Sequence, residues 1–167
     1  ILEKTHADDA KAWSVSGDLL YYSNRPTEAL EKYRQCIRLS PRVFSVWDNT
    51  LTILAEQKNF DEMLRFAEQA MDAFPNQPKA YFYYGIAANL KGQYDDAINQ
   101  LEQAMLMVGS NTALRLDLTD QIGLSLLGKK EFSAAITHYE QSLPKGGEQH
   151  PGILEHYGDA LSLNGQH

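Results

Sequence analysis

Apolar residues along this chain recur at spacings of three and four. Trp13, Gly17 and Leu20 form one such series. Ala97, Leu101 and Ala104, flanked by Ile98 and Met105, form another. No stretch sustains a period-two alternation with β-branched residues, so strands are not expected. Breakers interrupt the helical pattern at Asn24-Arg25-Pro26, Ser40-Pro41, Lys58-Asn59, Pro75-Asn76, Lys91-Gly92, Gly109-Ser110, Gly128-Lys129 and Lys145-Gly146-Gly147. Pattern and breakers together predict helices over roughly 10–23, 27–39, 44–57, 60–73, 78–91, 94–107, 112–128, 132–143 and 151–164.

The pattern is itself periodic. Trp13, Trp47 and Tyr81 follow one another at 34 residues, as do Pro41, Pro75 and Gly109. The same spacing relates Cys36, Ala70 and Ala104; Ala29, Met63 and Ala97; and Pro26, Phe60 and Tyr94. These columns resemble the tetratricopeptide repeat (TPR) family, whose fingerprint is W-x2-L-G-x2-Y, then A-x3-F, then P. The third unit is the nearest to it, with Tyr81, Gly85, Gly92, Tyr94, Ala97 and Ala104. In the fourth, Gly123, Phe132 and Ala135 follow their counterparts by 38 residues. A four-residue insertion, about one helical turn, therefore falls between Gly109 and Gly123 and is expected to lengthen a first helix.

The resemblance implies an all-α fold, an α-solenoid wound as a right-handed superhelix of antiparallel helix pairs. Its repeats would occupy 10–43, 44–77, 78–111 and 112–150, followed by the first helix of a fifth at 151–167. Residues 1–9 resemble the tail of a preceding repeat, and the whole would form one solenoid domain. Neither end resembles a polar cap, so the parent array is expected to be longer. Small residues (Gly17, Gly85, Gly123, Gly158; Ala29, Ala97, Ala135) mark close helix crossings, and Trp13, Trp47 and Tyr81 fill the space behind them. Repeat two places Leu51 and Met63 in those columns, which predicts a wider helix pair there.

Composition narrows the function classes. The 167 residues are 43% hydrophobic, enough for a core without staples. One cysteine, Cys36, cannot make an internal disulfide and is compatible with cytoplasm or periplasm. A net charge of −7 disfavours nucleic acid, which needs a basic face. No apolar run is long enough to insert in a membrane. The Asn/Gln-rich turns and the run from His156 to Ala160 resemble bacterial TPR chains.

No catalytic constellation emerges, and no cofactor or metal is implied. Gly123-x4-Gly128-Lys129-Lys130 lacks both the Ser/Thr and the preceding strand of a phosphate loop. His6, His138, His150, His156 and His167 include no i, i+4 pair of zinc ligands. Cys36 shares a column with Ala70, Ala104 and Ser142, which reads as a buried small residue. Asp61-Glu62 and Asp95-Asp96 open second helices, where carboxylates satisfy free backbone N–H groups.

In the TPR family the concave face is built mainly from first helices, and it binds peptides. Carried over by position, that face here includes Tyr21, Asp48, Asn49, Lys79, Phe82, Tyr83, Ile86, Asp120, Leu124 and Glu155. Asn49 and Lys79 match two positions of the family's carboxylate clamp, but Ser14, Asp18 and Tyr83 stand where it needs Lys, Asn and Arg. Asp18 would repel a carboxylate, so that ligand class is set aside. What remains is an acidic face with an apolar middle. It suits a protein or peptide with apolar anchors and basic flanks, held by a non-enzymatic interaction scaffold. Two alternatives stand beside it: a structural or regulatory module of a larger chain, and self-association through terminal helices, where Leu154, Leu161 and Leu163 would be bare.

Overall fold

A computed structural model of the protein describes residues 9–165. Among these residues there are nine α-helices and no strands. They are α1 (Ala10–Tyr22), α2 (Pro26–Leu39), α3 (Phe44–Glu56), α4 (Phe60–Ala73), α5 (Pro78–Leu90), α6 (Tyr94–Met107), α7 (Thr112–Gly128), α8 (Phe132–Ser142) and α9 (Pro151–Asn164). Each end lies within one residue of the sequence reading. The insertion is visible as a 17-residue α7 against 13 residues in each of α1, α3 and α5. The tail assigned to an earlier repeat lies outside the described residues except for Asp9, which caps α1 by accepting from the Lys11 N–H at 2.9 Å.

The chain divides into two compact units, Ile1–Pro75 and Asn76–His167. In the first unit α1 pairs with α2 and α3 with α4, and α2 packs on α3. Gly17 faces the Tyr33 ring and the Ser14 backbone faces Cys36, so α1 and α2 run antiparallel. In the second unit α5 pairs with α6 and α7 with α8, while α5, α7 and α9 pack successively.

Local chemistry explains the helix ends. Asn59 and Asn111 accept from the N–H groups of Glu62 and Leu114, and Pro26, Pro78 and Pro151 occupy first-turn positions where no N–H is needed. Each turn from a first to a second helix contains one left-handed residue: Asn24, Lys58, Gly92 and Lys130. Only the third repeat uses glycine there.

The crossing columns hold, with one exchange. Gly17, Gly85 and Gly123 are each covered by the residue sixteen positions later: Tyr33, Leu101 and Tyr139. In repeat two the sizes are reversed, with fully buried Leu51 on the first helix and fully buried Ala67 on the second. The α3 and α4 backbones run close over a shorter stretch than those of α1–α2 or α5–α6. The α7–α8 pair, despite Gly123, behaves like α3–α4, although Tyr139 stands over Gly123 as Tyr33 stands over Gly17 in the close α1–α2 pair. The glycine column alone does not set helix separation. Cys36, Ala70, Ala104 and Ser142 are all buried, and burial raises the Cys36 thiol pKa.

Candidate functional site

In the first unit the expected face is polar and largely occupied by its own residues. The Tyr33 hydroxyl donates to Asp18 at 2.7 Å. The Asn49 amide donates to the same carboxylate oxygen at 3.3 Å and to the Tyr33 hydroxyl at 3.2 Å. The Tyr21 hydroxyl donates to Glu56 at 2.9 Å, and that bond raises the Tyr21 pKa. Asn49 and Tyr21, read as ligand contacts, therefore tie α1 to α3. Asp48 is half-buried on α3.

In the second unit α5 and α7 form an open pocket of about 380 Å³. Its walls are Ile86, Leu90, Leu124 and Leu127, with Tyr94 from the start of α6 and Gly128 at the end of α7. The polar residues Asn89 and Gln121 complete it. Asn89 donates to the Gln121 carbonyl at 2.9 Å and accepts from the Ser125 hydroxyl at 2.6 Å, which fixes α5 against α7. Helix α5 thus keeps its polar contacts beneath the pocket while Leu90 stays exposed at its rim.

Two of the ten expected residues, Ile86 and Leu124, line this pocket. Phe82 lies on the same helix, one turn before Ile86, with its ring 5.8 Å from that of Tyr83. Tyr83 itself is buried, so little of it is available to a ligand. Lys79 is half-buried at the start of α5, and Glu155 is exposed on α9. Asp120 differs from expectation. It is 7% exposed, accepts from His156 Nδ1 at 2.8 Å, and leaves no room for a side chain at Gly152. A buried carboxylate needs such partners, so Asp120 serves the α7–α9 packing rather than an open face.

Sequence reasoning missed Tyr94 and Gly128 as pocket residues. A Cβ at Gly128 would lie 2.3 Å from the Tyr94 ring, so the glycine is what lets that tyrosine lean over the end of α7. The available signal was the glycine itself, which had been read as a helix end. The phosphate-loop resemblance dissolves in the same way: Gly123 lies under Tyr139, and Lys129 is held by Asp95 at 2.8 Å and Glu131 at 2.9 Å.

All three described histidines meet α7. His138 donates from Nε2 to the Thr119 carbonyl at 2.9 Å, and His150 Nε2 faces Asp117 at 3.1 Å. His150 Nδ1 accepts from the Ile153 N–H, capping α9. Burial lowers the His138 pKa, against smaller opposing effects of the Thr119 bond and Glu102. Among the described residues no three His, Cys, Asp or Glu side chains could hold a metal ion. No described helix is long and apolar enough to cross a membrane.

Comparison with known proteins follows the same lines. A family model described as tetratricopeptide repeat matches residues 14–78 and 52–112. The E3 ubiquitin-protein ligase CHIP of Arabidopsis thaliana is 24% identical over 96 residues, covering 58% of this chain and 34% of that protein. The chain thus spans about a third of the length of the curated relative it matches. MamA from Desulfovibrio magneticus RS-1 superimposes with a TM-score of 0.74 at 17% identity, over 89% of this chain and 81% of that one. YrrB, described as a TPR protein with an unusual peptide-binding site, gives a TM-score of 0.67 at 15% identity, over 99% and 91%. At these identities the likeness is one of fold.

Proposed function

Since the chain belongs to the tetratricopeptide repeat family, whose members mediate protein–protein interactions, we propose that its second unit holds a partner peptide at the α5–α7 pocket. The observation that carries this reading is the pocket itself. Four aliphatic side chains and an aromatic ring surround a space of about 380 Å³. A leucine, methionine or phenylalanine side chain fits such a space, and burying one contributes about 1.5–3 kcal/mol. The chain's net charge of −7 favours lysine or arginine on either side of the anchor. The polar face of the first unit, with Asn49 and Tyr21 already bonded, has less to offer an apolar anchor. The role is that of a scaffold, with no chemistry on the bound partner.

The test is an array of synthetic twelve-residue peptides with one central Leu, Met or Phe between basic or acidic flanks, read by fluorescence anisotropy. Basic-flanked peptides are expected to bind most tightly. Leu124→Asp should weaken them by at least about tenfold, because a charge then faces the anchor, with the helical circular dichroism unchanged. Undiminished binding by that variant, or preference for acidic flanks, overturns the proposal. A second reading, a module within a larger chain, is favoured by the match to only 34% of the plant ligase.

A further inference from the structure

The fourth repeat departs from its neighbours twice, and both departures end at one place. In α1 and α5 the crossing glycine is the eighth helical residue, counting from Ala10 and Pro78. In α7, which begins at Thr112, Gly123 is the twelfth, so the additional turn is 112–115 at the N-terminal end. The second departure is in α8, which has 11 residues against 14 in each of α2, α4 and α6. A 3₁₀ turn, Leu143–Lys145, stands where its last turn would be. Pro144 explains the change: it has no N–H for the α-helical ladder, and in an α-helix its ring would collide with the carbonyl four residues back. Gly146 follows with a φ of 102°, and a Cβ there would lie 3.7 Å from the Leu116 side chain, so this turn rests on α7.

Between the two departures lies a pocket of about 160 Å³. The extra turn supplies Arg115 to it and the 3₁₀ turn supplies Lys145, and none of its lining residues is acidic. In a chain with 22 acidic residues against 15 Lys and Arg, this is a local reversal of charge. Arg25, Arg34 and Lys129 are paired with Glu28, Glu62 and Asp95. Arg115 instead donates to the Gly109 carbonyl, and neither it nor the exposed Lys145 meets a carboxylate among the described residues. Gln141 brings an exposed amide to the same space. Met105 and Leu116 are its apolar walls, and the His138 ring is fixed beside them by its bond to the Thr119 carbonyl. The Glu102 carboxylate acts on His138 electrostatically but is not part of the lining.

We propose that this pocket binds a small organic carboxylate, with its charged end on Arg115 and Lys145 and a short aliphatic stem on Met105 and Leu116. A guanidinium fork and an ammonium both match a carboxylate, and the Gln141 amide adds a further donor. Apolar walls with a few convergent polar groups are the usual make-up of a small-molecule site, and the volume restricts the stem to a few carbons. Two molecules carry this chemistry: a free short-chain acid, and the C-terminal leucine of a peptide. The site takes no residue from the α5–α7 pocket and does not depend on it.

The test is a chemical-shift titration of the isotope-labelled full chain. Its probes are hexanoate, hexanamide, inorganic phosphate, and a short peptide ending in leucine as free acid or as amide. Hexanoate is expected to give saturable shifts at the backbone amides of Leu116 and Gln141, with a Kd of about 1 mM. Arg115→Gln and Lys145→Gln should each weaken it at least about fivefold, and Lys145→Arg should retain it. Arg115 also bonds Gly109, so circular dichroism accompanies each variant, and Lys145→Gln tests the charge at an exposed position. Leu124→Asp should have no effect, which separates this pocket from the peptide site. Tighter binding of the free-acid peptide than of hexanoate assigns the ligand to a chain terminus; the reverse assigns it to a free acid. Absence of saturable shifts, equal binding of hexanamide, phosphate binding as tight as hexanoate, or indifference to both glutamine substitutions overturns the proposal.

Discussion

In the fourth repeat the first helix gives up its side chain at Gly123 and the second fills the space with Tyr139. In the second repeat the first helix supplies Leu51 and the second withdraws to Ala67. Both arrangements are fully buried, and both leave a shorter stretch of close backbone approach than α1–α2. A crossing therefore needs a large residue opposite a small one, but the helix that carries the bulk is free to change. Close packing constrains the summed volume at a contact more than the identity of either partner.

Leu51→Ala is expected to do the most damage, about 2–5 kcal/mol, because Ala67 cannot refill the cavity. Urea denaturation of the full chain measures it. Leu51→Gly with Ala67→Tyr rebuilds the arrangement of the first repeat and should recover part of the loss seen with Leu51→Gly alone. A double variant worse than that single one would show that the helix carrying the bulk is fixed after all.

A smaller effect separates two glycines of one column. Gly123→Ala forces its new methyl into the Tyr139 ring and should cost about 1–3 kcal/mol even after the gain in helix propensity. Gly158→Ala meets no described atom and should stabilise by about 0.5–1 kcal/mol. Opposite signs in thermal denaturation support the packing account, and equal signs refute it.

The mildest contrast is between the two units. The first has no histidine among its described residues; the second has three. His138 has a lowered pKa, so below its ordinary value of 6.5 the folded state holds fewer protons than the unfolded one. The stability contributed by the neutral ring falls as pH drops through 6.5 toward that lower value. Hydrogen exchange at about pH 7.5 and about pH 5.5, corrected for intrinsic rates, should show α7 and α8 losing protection that α1 and α2 keep. His138→Gln should reduce the difference.

Most of the fold was legible in the sequence because its information is local. The positions of Pro41, Pro75 and the turn glycines bound each helix, and the columns from Cys36 to Ser142 mark its inner face. The extra turn of α7 could be read from a change in spacing alone. The site was legible only in part. Ile86 and Leu124 do line one pocket, but Tyr94 and Gly128 join it through a contact between residues 34 positions apart, from different repeats. Asn49, Tyr21 and Asp120 sit at face positions and are spent on Asp18, Glu56 and His156.

By itself, then, the sequence determined the helices, their pairing and which residues turn inward, because periodicity and breakers act within a few residues along the chain. Only the tertiary structure decided which outward polar groups remain available. A hydroxyl, amide or carboxylate bonds whatever a neighbouring helix brings within about 3 Å, and no repeat spacing records that distance. The same distinction sets Gly123 apart from Gly128: both are glycines of α7, and only the atoms around them show that one lies under Tyr139 and the other under Tyr94.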